Sequence, residues 1–333
     1  MKSKILIAVL SVLLACSAAF TMIHYFSART LSDEPAALAE DVEMEEYIYV
    51  AVFKDNPMII NHDAKGLDKF AEEYGVKVRI EAPETYNLEE QKRILLDVIA
   101  QKPDGLMVCG TDLSFTPYVD MAIDAGIPTI TVDADLPDSK RLAFVGSDFG
   151  DIGIRQAEAM VRLIGGKGIV AMMGINGINM QQAYDGFRSV MENYNDVIVL
   201  DEIDDESNPA LSREITLELL AKYPDLAGIA GFDSNSGPGI AQALEELNMV
   251  DKVKVTTVDI ATPHIAILKS GAVQKLVGQK RELFTYYGGV LLYQLNHSQI
   301  DLTGRDAANG TVNIPEQIDT GLIEVDSTNV DGI

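Results

Sequence analysis

The chain has 333 residues, 47% of them hydrophobic, and its 51 acidic and 26 basic residues give a formal net charge of −25. This length and apolar content suffice for two domains with ordinary cores. The acidity argues against nucleic acid and anionic lipid headgroups as partners, and the two cysteines indicate no disulfide framework.

The N-terminus is predicted to be a targeting segment. Two lysines precede an apolar run that ends near residue 26, so residues 1–26 are typical of a signal peptide or an uncleaved membrane anchor. The four residues that end at Cys16 resemble a bacterial lipobox, which makes Cys16 a candidate lipidation site. Residues 27–46, rich in Ala, Asp and Glu, are predicted to be a tether. We therefore expect an extracytoplasmic monomer tethered to the cell membrane, in the periplasm or on the outer face of the cytoplasmic membrane.

From Tyr47 onward, short β-branched runs alternate with amphipathic helical patterns. The first run, residues 47–52, ends in a polar turn at 54–57 that leads directly into a helix. Further strands are predicted at residues 76–80, 105–109, 127–133, 142–148, 168–173, 197–200, 226–230, 254–258, 273–277 and 318–325.

This alternation predicts an α/β fold. Strands separated by helices form parallel sheets with helices on both faces. About ten strands exceed one comfortable sheet, so two doubly wound lobes of five or six strands fit better.

No catalytic or metal-binding constellation is found in the sequence. The four histidines are scattered, and the motifs of nucleophile elbows and dinucleotide sites are absent. Residues 165–168, Gly-Gly-Lys-Gly, are predicted to be a helix cap and turn rather than a phosphate loop. The acidic run at 201–206 is predicted to be a solvated edge rather than a calcium loop. The sequence therefore favours a protein that is not an enzyme and has no cofactor or metal.

Polar residues recur where predicted strands end. Carboxylates accept two hydrogen bonds and amides both donate and accept, so such side chains suit vicinal hydroxyl groups. One such residue is commonly only a turn former, but several at equivalent strand ends would meet at one edge of a sheet. The residues are Asn56, Asp133, Asp233 with Ser234 and Asn235, Asp259, and Gln279.

A series of short motifs, in order and behind an export segment, resembles the ribose- and galactose-type periplasmic sugar-binding proteins. This family is related in fold to the effector domains of repressors, but no helix-turn-helix precedes residue 47. The resemblance covers residues 47 to about 330. The matching segments are residues 55–57, 125–133, 145–148, 185–187, 258–259, 276–279 and 318–321.

The resemblance implies two lobes joined by three hinge crossings, with the ligand in the cleft and closure by a hinge motion. The expected N-terminal lobe comprises residues 47–147 and 280–305. The expected C-terminal lobe comprises residues 148–279 and 306–333.

The resemblance also implies ligand-binding residues. Asn56, Asp133, Asp259 and Gln279 match positions of ligand hydrogen-bonding residues. Phe232 and Asp233 fall where the family has a polar cleft loop.

The sequence departs from the family at several of these positions. Met58 and Ile59 stand where relatives place two aromatics that sandwich a sugar ring. Ala134 and Gln181 stand where relatives place arginines, and no tryptophan is present. Stacking could come instead from other aromatic residues, each of which could equally be a packing residue. These are Phe149, Tyr184, Phe232 and Tyr286.

Two functions follow from these expectations. In the first, the chain is a receptor that binds a sugar or polyol and delivers it to an ATP-driven (ABC) importer through a membrane permease. In the second, a membrane-anchored receptor of the same kind presents its ligand state to a sensor kinase, which the long apolar N-terminal run favours.

Overall fold

The computed structural model of the protein describes residues 48–52, 57–84, 87–297, 305–306, 311–312 and 314–332. The predicted export segment, the tether, Cys16 and Asn56 lie outside these residues, so the predictions for them stay predictions. Met58 and Ile59 belong to the first helix, and only their backbone is described. Among the described helices, none is both long and apolar enough to cross a membrane.

Strands and helices alternate along the described chain, as the sequence predicts. The strands are β1 (Ile48–Val52), β2 (Lys77–Glu81), β3 (Gly105–Val108), β4 (Thr129–Val132), β5 (Phe144–Gly146), β6 (Gly168–Gly174), β7 (Val197–Asp204), β8 (Leu226–Gly231), β9 (Lys254–Val258), β10 (Lys275–Gln279), β11 (Arg305–Asp306), β12 (Thr311–Val312), β13 (Gln317–Asp319) and β14 (Leu322–Val325). The helices are α1 (Pro57–Tyr74), α2 (Leu88–Gln101), α3 (Thr116–Asp124), α4 (Phe149–Ile164), α5 (Ile178–Met191), α6 (Pro209–Lys222), α7 (Ser236–Glu246), α8 (Thr262–Lys269) and α9 (Arg281–His297).

Two six-stranded sheets have the same strand order. The first lobe contains the sheet β13-β5-β4-β3-β1-β2, and the second lobe contains β14-β10-β9-β8-β6-β7. Neighbouring strands are parallel except β14, which runs antiparallel to β10. The predicted fold of two doubly wound parallel-sheet lobes is therefore confirmed.

Local sequence signals explain where the helices begin and end. The Asn87 side chain accepts a hydrogen bond from the Glu90 N–H at the start of α2, and Asp148 caps α4 in the same way. Gly165 follows α4 in the left-handed conformation with φ 68°. The predicted capping of α2 and the predicted glycine cap are thus confirmed, and residues 165–167 form the turn between α4 and β6.

Helix α9 comes late in the chain but packs on the first lobe, against α1. Gly66 on α1 permits the close approach, because a Cβ atom there would lie 1.8 Å from the Glu282 carbonyl oxygen. Gly289 on α9 does the same for Phe70, whose ring a Cβ atom would meet at 2.5 Å. This contact brings the first residue of α9, Arg281, to the carboxyl edge of the first sheet.

The chain passes between the lobes after β5, after β10 and between β13 and β14. The last crossing differs from the expectation that residues 306–333 belong to the second lobe and that 318–325 is one strand. Strand β13 pairs with β5 in the first sheet, and only β14 joins the second. Gly321, at φ 73°, lies between β13 and β14 and lets the chain turn into the other sheet.

Candidate functional site

The carboxyl ends of both sheets border a small cavity between the lobes, here called the inner cavity. Its volume is about 20 Å³, room for about one water molecule. It brings together five of the predicted ligand-binding residues, which are Asp133, Phe232, Asp233, Asp259 and Gln279. The rest of its lining is Phe149, Ile152, Asn179, Met180, Ser234, Val258 and Arg281.

Asp133 and Asp259 occupy equivalent positions in the two lobes. Each directly follows the third strand of its sheet, β4 or β9, and each is buried. Both have a left-handed backbone, with φ 66° and 71°, which Asp tolerates better than most residues. Their N–H groups donate to Val145 and Val277, the matching residues of β5 and β10. One carboxylate from each lobe is therefore fixed at the cavity.

Arg281 forms a buried ion-pair cluster with two aspartates of the first lobe, a feature that the sequence did not reveal. Its Nη2 atom lies 3.0 Å from Asp63 Oδ2 on α1, and its Nη1 atom lies 2.9 Å from Asp133 Oδ1. The side chain of Arg281 is 8% exposed and that of Asp63 is fully buried. This guanidinium supplies a cation at the inner cavity, although Ala134 and Gln181 stand where relatives place arginines.

The two aspartates keep the guanidinium of Arg281 positively charged although it is buried. Burial opposes the charge of Arg281, but Asp133 and Asp63 raise its pKa well above the ordinary value. Burial raises the pKa of Asp63 to about 7, although Arg281 acts to lower it. Arg281 therefore remains a cation at any physiological pH.

Two donors at the cavity have no hydrogen-bond partner within the described part of the chain. They are Nε of Arg281 in the first lobe and Nε2 of Gln279 at the end of β10. Buried donors without partners are costly, by about 1–3 kcal/mol each. A ligand that brings acceptor oxygens between the lobes would remove this cost.

In the second lobe, hydrogen bonds orient Asp259. The Ser234 hydroxyl donates to Asp259 Oδ2 at 2.5 Å, and the Ser234 carbonyl oxygen lies 2.8 Å from Nε2 of the buried His264. Because Ser234 holds one carboxylate oxygen, Asp259 presents a fixed acceptor to the cavity.

The acidic run at 201–206 was expected to be a solvated edge, and this is wrong for one of its residues, Asp205. Asp201, Glu202 and Asp204 are exposed, but Asp205 is fully buried next to the start of α7. It accepts hydrogen bonds from the Ser236 hydroxyl at 2.6 Å and from the Ser207 N–H at 3.1 Å. Periodicity could not reveal this, because the chain turns inward only where β7 ends.

The Ser207 hydroxyl connects this layer to the cavity. It donates to Asp233 Oδ1 at 2.7 Å, and Asn235 Nδ2 donates to the Ser207 carbonyl oxygen at 2.9 Å. The loops after β7 and β8 are thereby joined, and Asp233 is held in place.

Asp205→Asn should flatten the pH dependence of stability. Burial raises the pKa of Asp205 from 3.8 to about 7, so between these values the folded state holds a proton that the unfolded state has lost. Stability therefore falls as pH rises through this window, by up to about 1.4 kcal/mol per pH unit. Asparagine mimics the protonated form, so the variant should gain stability relative to wild type between pH 4 and pH 8 in urea denaturation. Equal pH dependence of both proteins would contradict this.

Gln181, predicted as a ligand residue, is not at the cavity. It is exposed on α5, where its Nε2 donates to Asp185 Oδ1 at 2.9 Å. Asn179 and Met180, just before it, line the cavity instead. Because α5 begins at Ile178, Asn179 and Met180 face the cavity and Gln181 does not. The spacing to residues 185–187 alone did not determine which residues of the helix face inward.

The four candidate stacking aromatics have different environments. Phe149 lines the cavity. Phe232 also lines it, but its ring packs edge-on against Tyr184 and Phe187 in the core. Tyr184 donates to the Ile175 carbonyl oxygen, and Tyr286 donates to Glu73 on the outside of the first lobe. Phe149 is thus the aromatic best placed for a ligand, and Tyr184 and Tyr286 have structural roles.

The residues that sequence reasoning missed lie on helices rather than at strand ends. They are Asp63, Asn179, Arg281 and His62, which faces Asp259 across a smaller adjoining cavity. One signal was available, because Arg281 comes only two residues after Gln279 and must therefore lie near the cavity that Gln279 lines. Within the described residues, no cluster of three or more His, Cys, Asp or Glu side chains could hold a metal ion.

Two lobes with this topology and a polar cavity between them define the binding-protein class of type I. The sequence agrees, since residues 48–298 match the family described as "Periplasmic binding protein domain". The chain belongs to this family, whose members are binding proteins. No match was found among curated proteins.

Solved structures show the same fold. AraP, an arabinose-binding protein from Geobacillus stearothermophilus, is 27% identical with a TM-score of 0.74, over 86% of this chain and 99% of AraP. A sugar-binding protein of a sugar ABC transporter from Bacillus halodurans is 25% identical with a TM-score of 0.78, over 86% and 99%. XylFII in the XylFII–LytSN complex is similar in fold, with 21% identity, a TM-score of 0.74 and coverage of 85% and 98%.

Proposed function

We propose that the protein binds a neutral sugar between its lobes, outside the cytoplasm, and delivers it to an ATP-driven importer. The carrying observation is the convergence of buried polar groups from both lobes on one cavity: Asp133 and Arg281 from the first, Asp259 and Gln279 from the second. Carboxylates that accept and guanidinium and amide groups that donate are the set that sugar hydroxyls require. The sugar-binding neighbours named above support this assignment.

The charges favour a neutral ligand over an acidic one. Among the described residues lining the inner cavity, one is basic, Arg281, and three are aspartates. The cation is already paired with Asp63 and Asp133. A ligand carboxylate or phosphate would meet Asp233 and Asp259 without a free counter-charge.

Binding would involve a hinge motion. A cavity of about 20 Å³ is smaller than the range of about 300–1,000 Å³ that ligand pockets occupy, so the lobes must separate to admit a sugar. Contacts from both lobes then favour closure over the ligand, as a shift in population. Two crossings are hydrogen-bonded to each other and would move as one hinge. The Thr320 N–H donates to the Gly146 carbonyl oxygen, and the Ser147 hydroxyl donates to the Gly321 carbonyl oxygen.

A panel of sugars tests the proposal. Glucose, galactose, arabinose, xylose and ribose should include at least one that raises the melting temperature of the full-length protein and binds in calorimetry. The uronate of the best-binding hexose should bind at least about tenfold more weakly, a difference of about 1.4 kcal/mol. No stabilisation by any neutral sugar would contradict the function, and tighter uronate binding would contradict the charge argument.

Presentation of the ligand state to a sensor kinase is the second candidate. The likeness of the fold to XylFII in its complex with LytSN favours it, together with the predicted membrane anchor. The two roles separate in a deletion strain. Loss of sugar uptake with an intact transcriptional response supports transport, and loss of the response with intact uptake supports sensing.

A further inference from the structure

A second and larger cavity opens beside the inner cavity, here called the side cleft. Its volume is about 500 Å³, within the range of small-molecule sites. Pro137 and Phe144 of the first lobe border it, and so do Ile178 and Gln182 of the second. Ser147 and Gln317, near the crossings, also line it. Residues of both lobes therefore line the side cleft, as they line the inner cavity.

Three residues line both cavities, so the two spaces adjoin. They are Asp133 of the first lobe and Phe149 and Asn179 of the second. Phe149 is 7% exposed and lines both spaces at the junction. A ligand held in the inner cavity would thus reach the side cleft past an aromatic ring, to which the apolar face of a sugar can pack.

Asn179 marks the junction as a binding position. Its side chain is 8% exposed, and within the described part of the chain it makes no hydrogen bond. Gly177 lies beside it, where a Cβ atom would come within 3.1 Å of Asn179 Oδ1. The Asn179 amide offers two donors and one acceptor, which suits a group that spans the two spaces.

The charges of the side cleft select the kind of group. Among the described residues that line it there are four aspartates and no lysine or arginine. Asp133 is paired with Arg281 and Asp135 with Arg141. Asp148 and Asp185 have hydrogen bonds but no cationic partner in the described chain. Such a cleft suits a hydroxyl-rich neutral group and repels an acidic one.

We propose that the protein takes a neutral disaccharide rather than a single sugar, with one unit in the inner cavity and the second in the side cleft. This inference rests on the proposed sugar-binding function and specifies its ligand. Asn179 hydrogen-bonds near the linkage, Phe149 packs against a ring face, and the aspartates of the side cleft accept from hydroxyls of the second unit.

Paired ligands and one blocking variant test this in the full-length protein. Calorimetry compares glucose with cellobiose, galactose with β-1,4-galactobiose, and arabinose with α-1,5-arabinobiose. Gln182→Trp fills the side cleft from an exposed position on α5. Gln242→Trp is the matched control, since Gln242 is exposed on α7 of the same lobe and away from both cavities.

At least one disaccharide should bind about tenfold or more tightly than its single sugar, equivalent to about 1.4 kcal/mol. Gln182→Trp should bring this ratio close to one, and Gln242→Trp should leave it within about twofold. Single sugars that bind as tightly as every disaccharide would overturn the inference and leave the proposed function standing, as would a ratio that Gln182→Trp does not change. Absence of binding by all six sugars, and by the xylose and ribose of the panel, would overturn both.

Discussion

Replacing Arg281 with leucine should abolish sugar binding and lower the free energy of unfolding by about 3–5 kcal/mol, the usual effect of breaking a buried ion pair. The variant leaves Asp63 and Asp133 buried without their cation. It also removes the unpaired Nε donor at the inner cavity. Urea denaturation measures the stability, and calorimetry with the best sugar of the panel measures the binding.

Two further variants make this result specific. Arg213→Leu removes an arginine that pairs with Glu246 at the surface, so it should cost only about 0–1 kcal/mol and leave binding unchanged. Adding Asp63→Asn to Arg281→Leu should recover part of the stability at pH 8 and above, without recovering binding. Burial raises the pKa of Asp63 to about 7 even beside Arg281, so asparagine removes the cost of either ionising or protonating a buried carboxyl that has lost its cation. An Arg281→Leu protein as stable as wild type would show that the cluster is not what holds α1 and α9 together.

Asp259→Ala should weaken sugar binding by about 2 kcal/mol or more, which is roughly 30-fold in Kd. The carboxylate is buried, held by Ser234, and lies at the end of β9 beside the inner cavity. The variant should also lose about 1–2 kcal/mol of stability, because alanine at φ 71° is strained. Calorimetry and denaturation together separate the two effects.

Asp251→Ala is the matched control for the backbone effect. Asp251 has φ 65° and is exposed in the turn before β9, away from the inner cavity. Its replacement should cost comparable stability and leave affinity unchanged. If Asp259→Ala binds sugar as wild type does, Asp259 is not a ligand residue.

The sequence predicted what local pattern determines. Alternation of strands and helices gave the two-lobed fold, and the polar residues at strand ends, such as Asp133 and Asp259, are where parallel strands must bring them together. The turn at Gly321 was missed, because an apolar run on both sides of it resembles one strand. A single left-handed glycine there sends the two halves into different sheets.

The rest of the site depends on packing between distant segments. Asp63 and Arg281 are 218 residues apart in the chain and meet only because glycines let α1 and α9 pack closely. The burial of Asp205 follows from the inward turn after β7, which no local pattern encodes. Asn179 rather than Gln181 lines the inner cavity because helix phase depends on where α5 begins, which the sequence specified only to within a residue or two.

A crystal structure of the protein with the best-binding sugar of the panel tests the central claim most directly. We expect sugar hydroxyls within hydrogen-bonding distance of Arg281 or Asp133 from the first lobe and, at the same time, of Asp259 or Gln279 from the second. A sugar that contacts one lobe alone, or lies outside the cavity that these residues line, would contradict binding between the lobes.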